Sequence, residues 1–357
     1  MLFSSRFLAL AALLGQALAL PIDDFSQSDA GLKVKLTSMG NTRVKAVVTN
    51  EGEQEISFLK FNTFFDSAPT QKVQIMKAGS LIPFSGVDFY FNMANLPAEA
   101  FKTLAPGASA EAEFDIAATA DLSPGGSYTV SSAGFLRIAG GNGTAITGRM
   151  RYRSNQMKLN VDGDMAAKVQ SAVPTIEKRT RIDGNSCRGN YGQLLSRALQ
   201  GCSSYAGRAA QAASNGDAQK FQEYFKTNSP QVRQSVAARF QAIVQECSSA
   251  SNGKTTYLCE DRFRFCQPGL IAYTIPTQSV VANCPSYWKL PPVVNRGLEP
   301  DHGYVVVHEF THATSIFSPG TEDHGYGYEE CRRLNAQQSL SNADNYSLFA
   351  AAVSRGA

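Results

Sequence analysis

Between residues 31 and 160 polar and apolar positions alternate in short runs. GLKVKLTSM (31–39), RVKAVVTN (43–50), EISFLKFNTFF (55–65), SAEAEFDIAA (109–118) and GSYTVSSAGFLRI (126–138) are separated by Gly, Pro, Asn and Ser. That pattern predicts strands with one buried face, and so many short strands predict a β-sandwich. The periodicity lapses over 161–186, which reads as a linker. From residue 188 the spacing changes to three and four, so YGQLLSRALQGCSSYAGRAAQAA (191–213), DAQKFQEYFKT (217–227) and SPQVRQSVAARFQAIVQEC (229–247) are expected as helices. Ser229 and Pro230 supply an N-cap and a first helical residue. A stretch of strands and turns, TTYLCEDRFRFCQPGLIAYTIP (255–276), precedes a helix carrying VVVHEFTHATSIF (305–317), and two shorter helices are expected at 328–339 and 342–354.

Length and composition extend this picture. A chain of 357 residues is long enough for two modest cores. Its first twenty residues hold one Arg, an apolar run and the small-x-small sequence Ala17-Leu18-Ala19, the form of an export signal cleaved after Ala19. No later stretch is comparably apolar, so a secreted chain without a membrane span is expected. All seven Cys lie in the second half, where an oxidising compartment would pair most of them and leave at least one over. A net charge of +3 with no basic block argues against nucleic-acid binding. Lys178-Arg179 lies in the linker, eight residues before the first Cys, where a processing endoprotease can cut. The other dibasic pair, Arg332-Arg333, falls inside an expected helix that would protect it. The expected divisions are a signal at 1–19, a β-rich propeptide at 20–179 and a catalytic domain at 180–357.

The chemistry centres on His308-Glu309-Phe310-Thr311-His312. On a helix, residues i and i+4 share a face, so both imidazoles can reach one ion with Glu309 beside it. Two neutral nitrogen ligands and an adjacent carboxylate base are what a zinc hydrolase needs. The third ligand is open at this level. The metzincin pattern would require Gly at 315 and His at 318, and both are Ser. Asp323, His324, Glu329 and Glu330 are the candidates. Glu309 also separates an enzyme from a secreted binding protein with a structural zinc site, which would have no use for a base; a zinc hydrolase of non-protein amides is a further alternative.

HEFTH followed by GTEDHGYGY (320–328) resembles the aspzincin signature, and the chain as a whole is similar to the fungal deuterolysins, the neutral protease 2 family. The resemblance implies a mainly α-helical zincin-type (α+β) catalytic domain and a zinc endopeptidase made as a zymogen. It makes His308, His312 and Asp323 the ligands of one Zn2+, Glu309 the general base and Tyr326 the donor to the developing oxyanion. His324 then lines the cleft, and Tyr328 sits either in the core or behind the ligands. The family's activity on basic proteins such as histones and protamines agrees with a run of seven acidic residues and no Lys or Arg between Gly297 and Cys331. Five of these, Glu299, Asp301, Glu322, Glu329 and Glu330, are expected near the site, which would make its cleft negative. Protein substrates, a processing endoprotease and a monomeric state complete the expectation.

The resemblance also implies the disulfides Cys187-Cys259 and Cys266-Cys284. Cys202 and Cys247, on successive expected helices, form a third bridge in place of one that the family makes at its C-terminus, and Cys331 is left as a buried thiol. Because neither Cys nor His occurs between the export signal and residue 180, latency would need a propeptide carboxylate or steric cover. Asn142 and Asn345 begin N-glycosylation sequons, the second on an expected helix that would block it if packed.

Overall fold

The computed structural model describes residues 29, 31–93, 96–140, 144–175, 182–249 and 253–357. The expected export signal at 1–19, Lys178, Arg179 and Asn142 lie outside them.

The N-terminal half is β-rich as its alternation predicts, with the strands divided among three small antiparallel sheets. One orders Leu32–Ser38, Arg43–Asn50 and Ser109–Asp115; the second orders Ala145–Arg153, Ala133–Gly140, Ile56–Leu59 and Phe101–Leu104; the third orders Met157–Val161, Gly126–Ser131, Gln74–Lys77 and Ser80–Leu81. Register follows the apolar face: Val34 lies opposite Val48 and Leu36 opposite Ala46, and all four are buried in one core with Val130 and Leu136.

The C-terminal half is mainly helical. Asn190–Asn215 packs along Pro230–Ser248, and Cys202–Cys247 joins them. Ser229 caps the second of these helices by accepting from the Val232 amide. The other bridges are Cys187–Cys259 and Cys266–Cys284, and Cys331 is the buried free thiol.

The helix His302–His312 is buried along its whole length. It crosses Asn190–Asn215 closely because Gly303 meets Gly201: a Cβ on Gly303 would lie 3.0 Å from the Gly201 carbonyl carbon. Its N-cap is Asp301, whose carboxylate accepts from the Tyr304 amide at 2.9 Å and pairs with Arg355 at 2.9 Å. The expected helix through Phe317 stops earlier, because Ala313 is extended and the chain turns back. That return is close: a Cβ on Gly320 would lie 2.4 Å from the His312 carbonyl oxygen.

Beside this helix runs a sheet ordered Thr256–Leu258, Val280–Asn283, Leu270–Ile275, Asp88–Phe91. Its fourth strand comes from the N-terminal half and pairs antiparallel with Leu270–Ile275, with Ala272 opposite Tyr90, Tyr273 opposite Phe89 and Thr274 opposite Asp88. Asp-Phe-Tyr-Phe lacks clean alternation because Phe89, Tyr90 and Phe91 are all buried, which is why the amphipathic pattern passed over it.

The helix expected at 328–339 is two helices, Gly327–Cys331 and Ala336–Leu340. Asn335 starts the second with a reciprocal capping box to Gln338. Arg332 and Arg333 are consequently exposed in the turn between them, contrary to the expected helical protection. The last helix, Ala343–Arg355, buries Asn345, whose side-chain amide donates to the Tyr224 carbonyl at 2.7 Å, so that sequon is blocked. Among the described residues no helix is long and apolar enough to cross a membrane.

Candidate metal centre

The His302–His312 helix directs His308 and His312 to one side, where the loop after Gly320 returns Asp323. Their Nε2 atoms are 3.3 Å apart. Asp323 places Oδ1 at 3.3 Å from His308 Nε2 and Oδ2 at 3.5 Å from His312 Nε2. One ligand atom from each residue falls within 4.8 Å of the others. Both Asp323 carboxylate oxygens and Glu309 Oε1 are buried without a hydrogen-bond partner among the described residues. Buried carboxylate oxygens left in that condition are costly. Two imidazoles and a carboxylate converging in this way have the donor set and spacing of a three-residue zinc site, so the residues fit the ion.

Each ligand is oriented from behind. His312 Nδ1 lies 2.9 Å from the Thr321 carbonyl and His308 Nδ1 lies 3.3 Å from Asp344 Oδ1. With Nδ1 donating outward, each Nε2 lone pair is turned inward. Asp344 is itself fixed by the Tyr304 hydroxyl at 2.8 Å and the Ser347 hydroxyl at 3.1 Å. Thr311 joins helix to loop by its contact with Thr321 at 2.7 Å.

Burial and charge compete here. Burial works to discharge His308, but the carboxylates of Asp323 and Asp344 carry it up to about 10. At His312 burial prevails and the imidazole falls to about 4. Burial also opposes charge on Asp323, yet the two imidazoles hold it below the ordinary carboxylate range. Glu309 is pushed by burial up to about 8, with His308 and the Thr274 hydroxyl pulling it down. Thr274, on the neighbouring strand, donates to Glu309 Oε2 at 2.6 Å and fixes the carboxylate next to the cluster.

The Tyr326 hydroxyl donates to the Phe89 carbonyl and accepts from Asn62 Nδ2 at 3.0 Å. Its ring lies 6.3 Å from that of His308, so the expected donor is beside the expected ligands. The other candidates for the third ligand are elsewhere. His324 Nε2 contacts the Ser341 hydroxyl at 2.9 Å, Glu330 is held by Arg137 at 3.1 Å, and Glu329 projects into solvent with its side chain 70% exposed. Tyr328 donates to Glu223 at 2.5 Å. The acidic run needs one correction: Asp301 does not line the cleft, because its carboxylate is consumed by the helix cap and Arg355, both side chains being 2% exposed. Sequence reasoning passed over Asp344 and Thr274. A ligand imidazole requires an acceptor on its second nitrogen, but no spacing links positions 308 and 344, and Thr274 is joined to Glu309 through sheet packing alone.

The deuterolysin metalloprotease (M35) family profile matches residues 1–357. The chain is 65% identical over 352 residues to neutral protease 2 homolog MEP5 of Coccidioides posadasii, covering 99% of both chains. It is 42% identical over 346 residues to neutral protease 2 of Aspergillus oryzae, covering 97% of both. A solved zinc peptidase from Grifola frondosa aligns with a TM-score of 0.38 at 20% identity, over 46% of this chain and 97% of that one. With the match spanning all 357 residues, this chain belongs to the deuterolysin metalloprotease (M35) family.

Proposed function

We propose that the chain is the precursor of a secreted zinc endopeptidase. In this reading residues 1–19 direct export, 20–179 form a propeptide with a sandwich-like β-fold that a processing endoprotease removes after Arg179, and 180–357 form a monomeric zincin-type catalytic domain holding one Zn2+. The observation that carries the reading is the convergence of His308, His312 and Asp323 with a buried carboxylate, Glu309, beside them. Three disulfides in the C-terminal half support export.

His308, His312 and Asp323 would hold the ion, which when bound supplies Lewis-acid polarisation of a carbonyl and makes water acidic near neutrality. Glu309 takes the proton of the attacking water and passes it to the leaving amine. Thr274 keeps the Glu309 carboxylate on the side where that proton appears. Tyr326 donates to the carbonyl oxygen as negative charge builds on it. No side chain forms a covalent bond to the substrate.

Basic protein substrates are supported by one further contact. Arg137, from the N-terminal half, pairs with Glu330 and places its guanidinium 5.0 Å from the Tyr326 ring centre. Departure of that segment would leave Glu330 and the ring for a cationic substrate side chain, with Glu322 nearby.

The test is metal content and protamine cleavage by the processed protein, wild type beside Glu309→Gln. Both should bind one zinc per chain, with turnover of the variant reduced about 100-fold or more. Cleavage by Glu309→Gln at the wild-type rate would refute the assignment of the base.

A further inference from the structure

We propose that the strand Asp88–Phe91 is an internal inhibitor, occupying the sheet edge and the tyrosine hydroxyl that an extended substrate would use. The proposal rests on the zymogen reading above and identifies the segment responsible.

Three independent contacts carry it. The strand completes the backbone ladder on Leu270–Ile275, which is the outermost strand of the C-terminal sheet once residues 88–91 are taken away. An extended peptide can add to a sheet edge only where that edge is open. The ladder continues past the strand, with the Asn92 amide donating to the Gly269 carbonyl at 2.8 Å.

The second contact is chemical. The Tyr326 hydroxyl donates to the peptide carbonyl of Phe89, so the hydrogen bond proposed for a reacting carbonyl is already made to one from the chain itself. The third contact is steric. The Tyr90 ring lies over His308 with centroids 4.2 Å apart, and Asp88 Oδ2 reaches to 3.7 Å from His312 Nδ1. The side chains on both sides of Phe89 thus stand against the two ligand imidazoles.

The strand is held from outside as well. Phe89 and Phe91 are buried in one core with Leu270 and Tyr273. Asn62 reaches the Tyr326 hydroxyl, and Arg137 pairs with Glu330. These ties lie on other segments of the N-terminal half, so the whole module positions the strand. No cysteine or imidazole is needed, in keeping with their absence from residues 20–179.

The test uses the full chain kept intact by Lys178→Gln and Arg179→Gln, compared with the wild-type chain cut after Arg179 and diluted. Tyr90→Ala removes the ring over His308, and Arg137→Gln loosens the module from outside the strand in case the first variant folds poorly. Hydrolysis of a short peptide and amide hydrogen exchange over residues 270–275 of the metal-free protein are read together. The intact chain should turn over at about one-hundredth of the cut rate or less, with slow exchange at 270–275. Each variant should raise both turnover of the intact chain and exchange at that edge by about tenfold. If both variants leave edge exchange slow and the intact chain silent, another segment closes the site; the strand assignment then fails while the zymogen reading stands. An intact chain as active as the cut one would overturn both. If even the cut chain hydrolyses nothing, the peptidase reading fails, and exchange at 270–275 still decides whether the strand covers the edge.

Discussion

Thr274→Val isolates the contribution of one hydroxyl to the chemistry. Valine keeps the shape and β-propensity of the side chain within its strand, so the change removes a donor without opening a cavity. The donor in question serves Glu309 Oε2 at 2.6 Å inside a fully buried site, and Glu309 Oε1 has no hydrogen-bond partner among the described residues. A hydrogen bond to a charged, buried carboxylate contributes about 1.5–3 kcal/mol. At about 1.4 kcal/mol per tenfold, kcat should fall about 10- to 100-fold. KM should change little, because Thr274 acts through Glu309 and not through the substrate. The hydroxyl also lowers the pKa of Glu309, which burial has raised. The base must be ionised to accept a proton, so losing the donor moves the acid limb of the kcat profile to higher pH. The assay is steady-state hydrolysis of a peptide by the processed enzyme across pH, with zinc content measured on each preparation, and Thr274→Ser should restore most of the rate. A Thr274→Val enzyme with full zinc, wild-type kcat and an unmoved acid limb would refute the positioning role.

Two stability changes complete the set, both followed by chemical or thermal unfolding of the full chain. Arg355→Ala leaves Asp301, its partner at 2.9 Å, as a buried carboxylate, and should cost about 3–5 kcal/mol; an unchanged midpoint would mean that water reaches Asp301. Lys72 is lowered by burial, against the pull of Asp66, from 10.5 to about 8. Between those values the unfolded chain binds a proton that the folded chain lacks, so stability falls as pH drops from about 10.5 to about 8 and the full penalty is present at pH 7. Lys72→Met should therefore stabilise the protein by about 2 kcal/mol at pH 7, after allowing for the lost hydrogen bond to the Ala68 carbonyl, with the gain vanishing near pH 10.5. A gain that persists undiminished at high pH would point to packing instead of charge.

The readable parts of the sequence were those fixed by local periodicity. Alternation located Leu32–Ser38 and Arg43–Asn50, and three-four spacing located the long helices, because each of these elements keeps one face wet. Fully buried elements escaped. Asp88–Phe91 has no polar face to mark it, and its partner lies about 180 residues away, a pairing that no local signal encodes. At the site, His308, Glu309 and His312 were legible because one helix turn places them. Asp323 needed the family signature to be chosen over its neighbours, since a loop return depends on Gly320 fitting under the His312 carbonyl. The groups behind the ligands, Asp344 and Thr274, were illegible because packing alone brings them there. The split of the expected 328–339 helix followed from Asn335 acting as a cap when its sequence context also permits a helix interior.

The sheet shared by Asp88–Phe91 and Leu270–Ile275 has a consequence for how a cut chain would wake. Residue 179 belongs to neither strand, so a break there leaves every rung between them intact. What changes is molecularity: an edge faced by a tethered strand experiences an effective concentration of about millimolar order, whereas a severed one experiences the bulk concentration. Before the break occupancy is independent of how much protein is present; afterwards it obeys mass action. A crowded population of severed molecules would stay mutually quenched, and the same population spread through a larger volume would not.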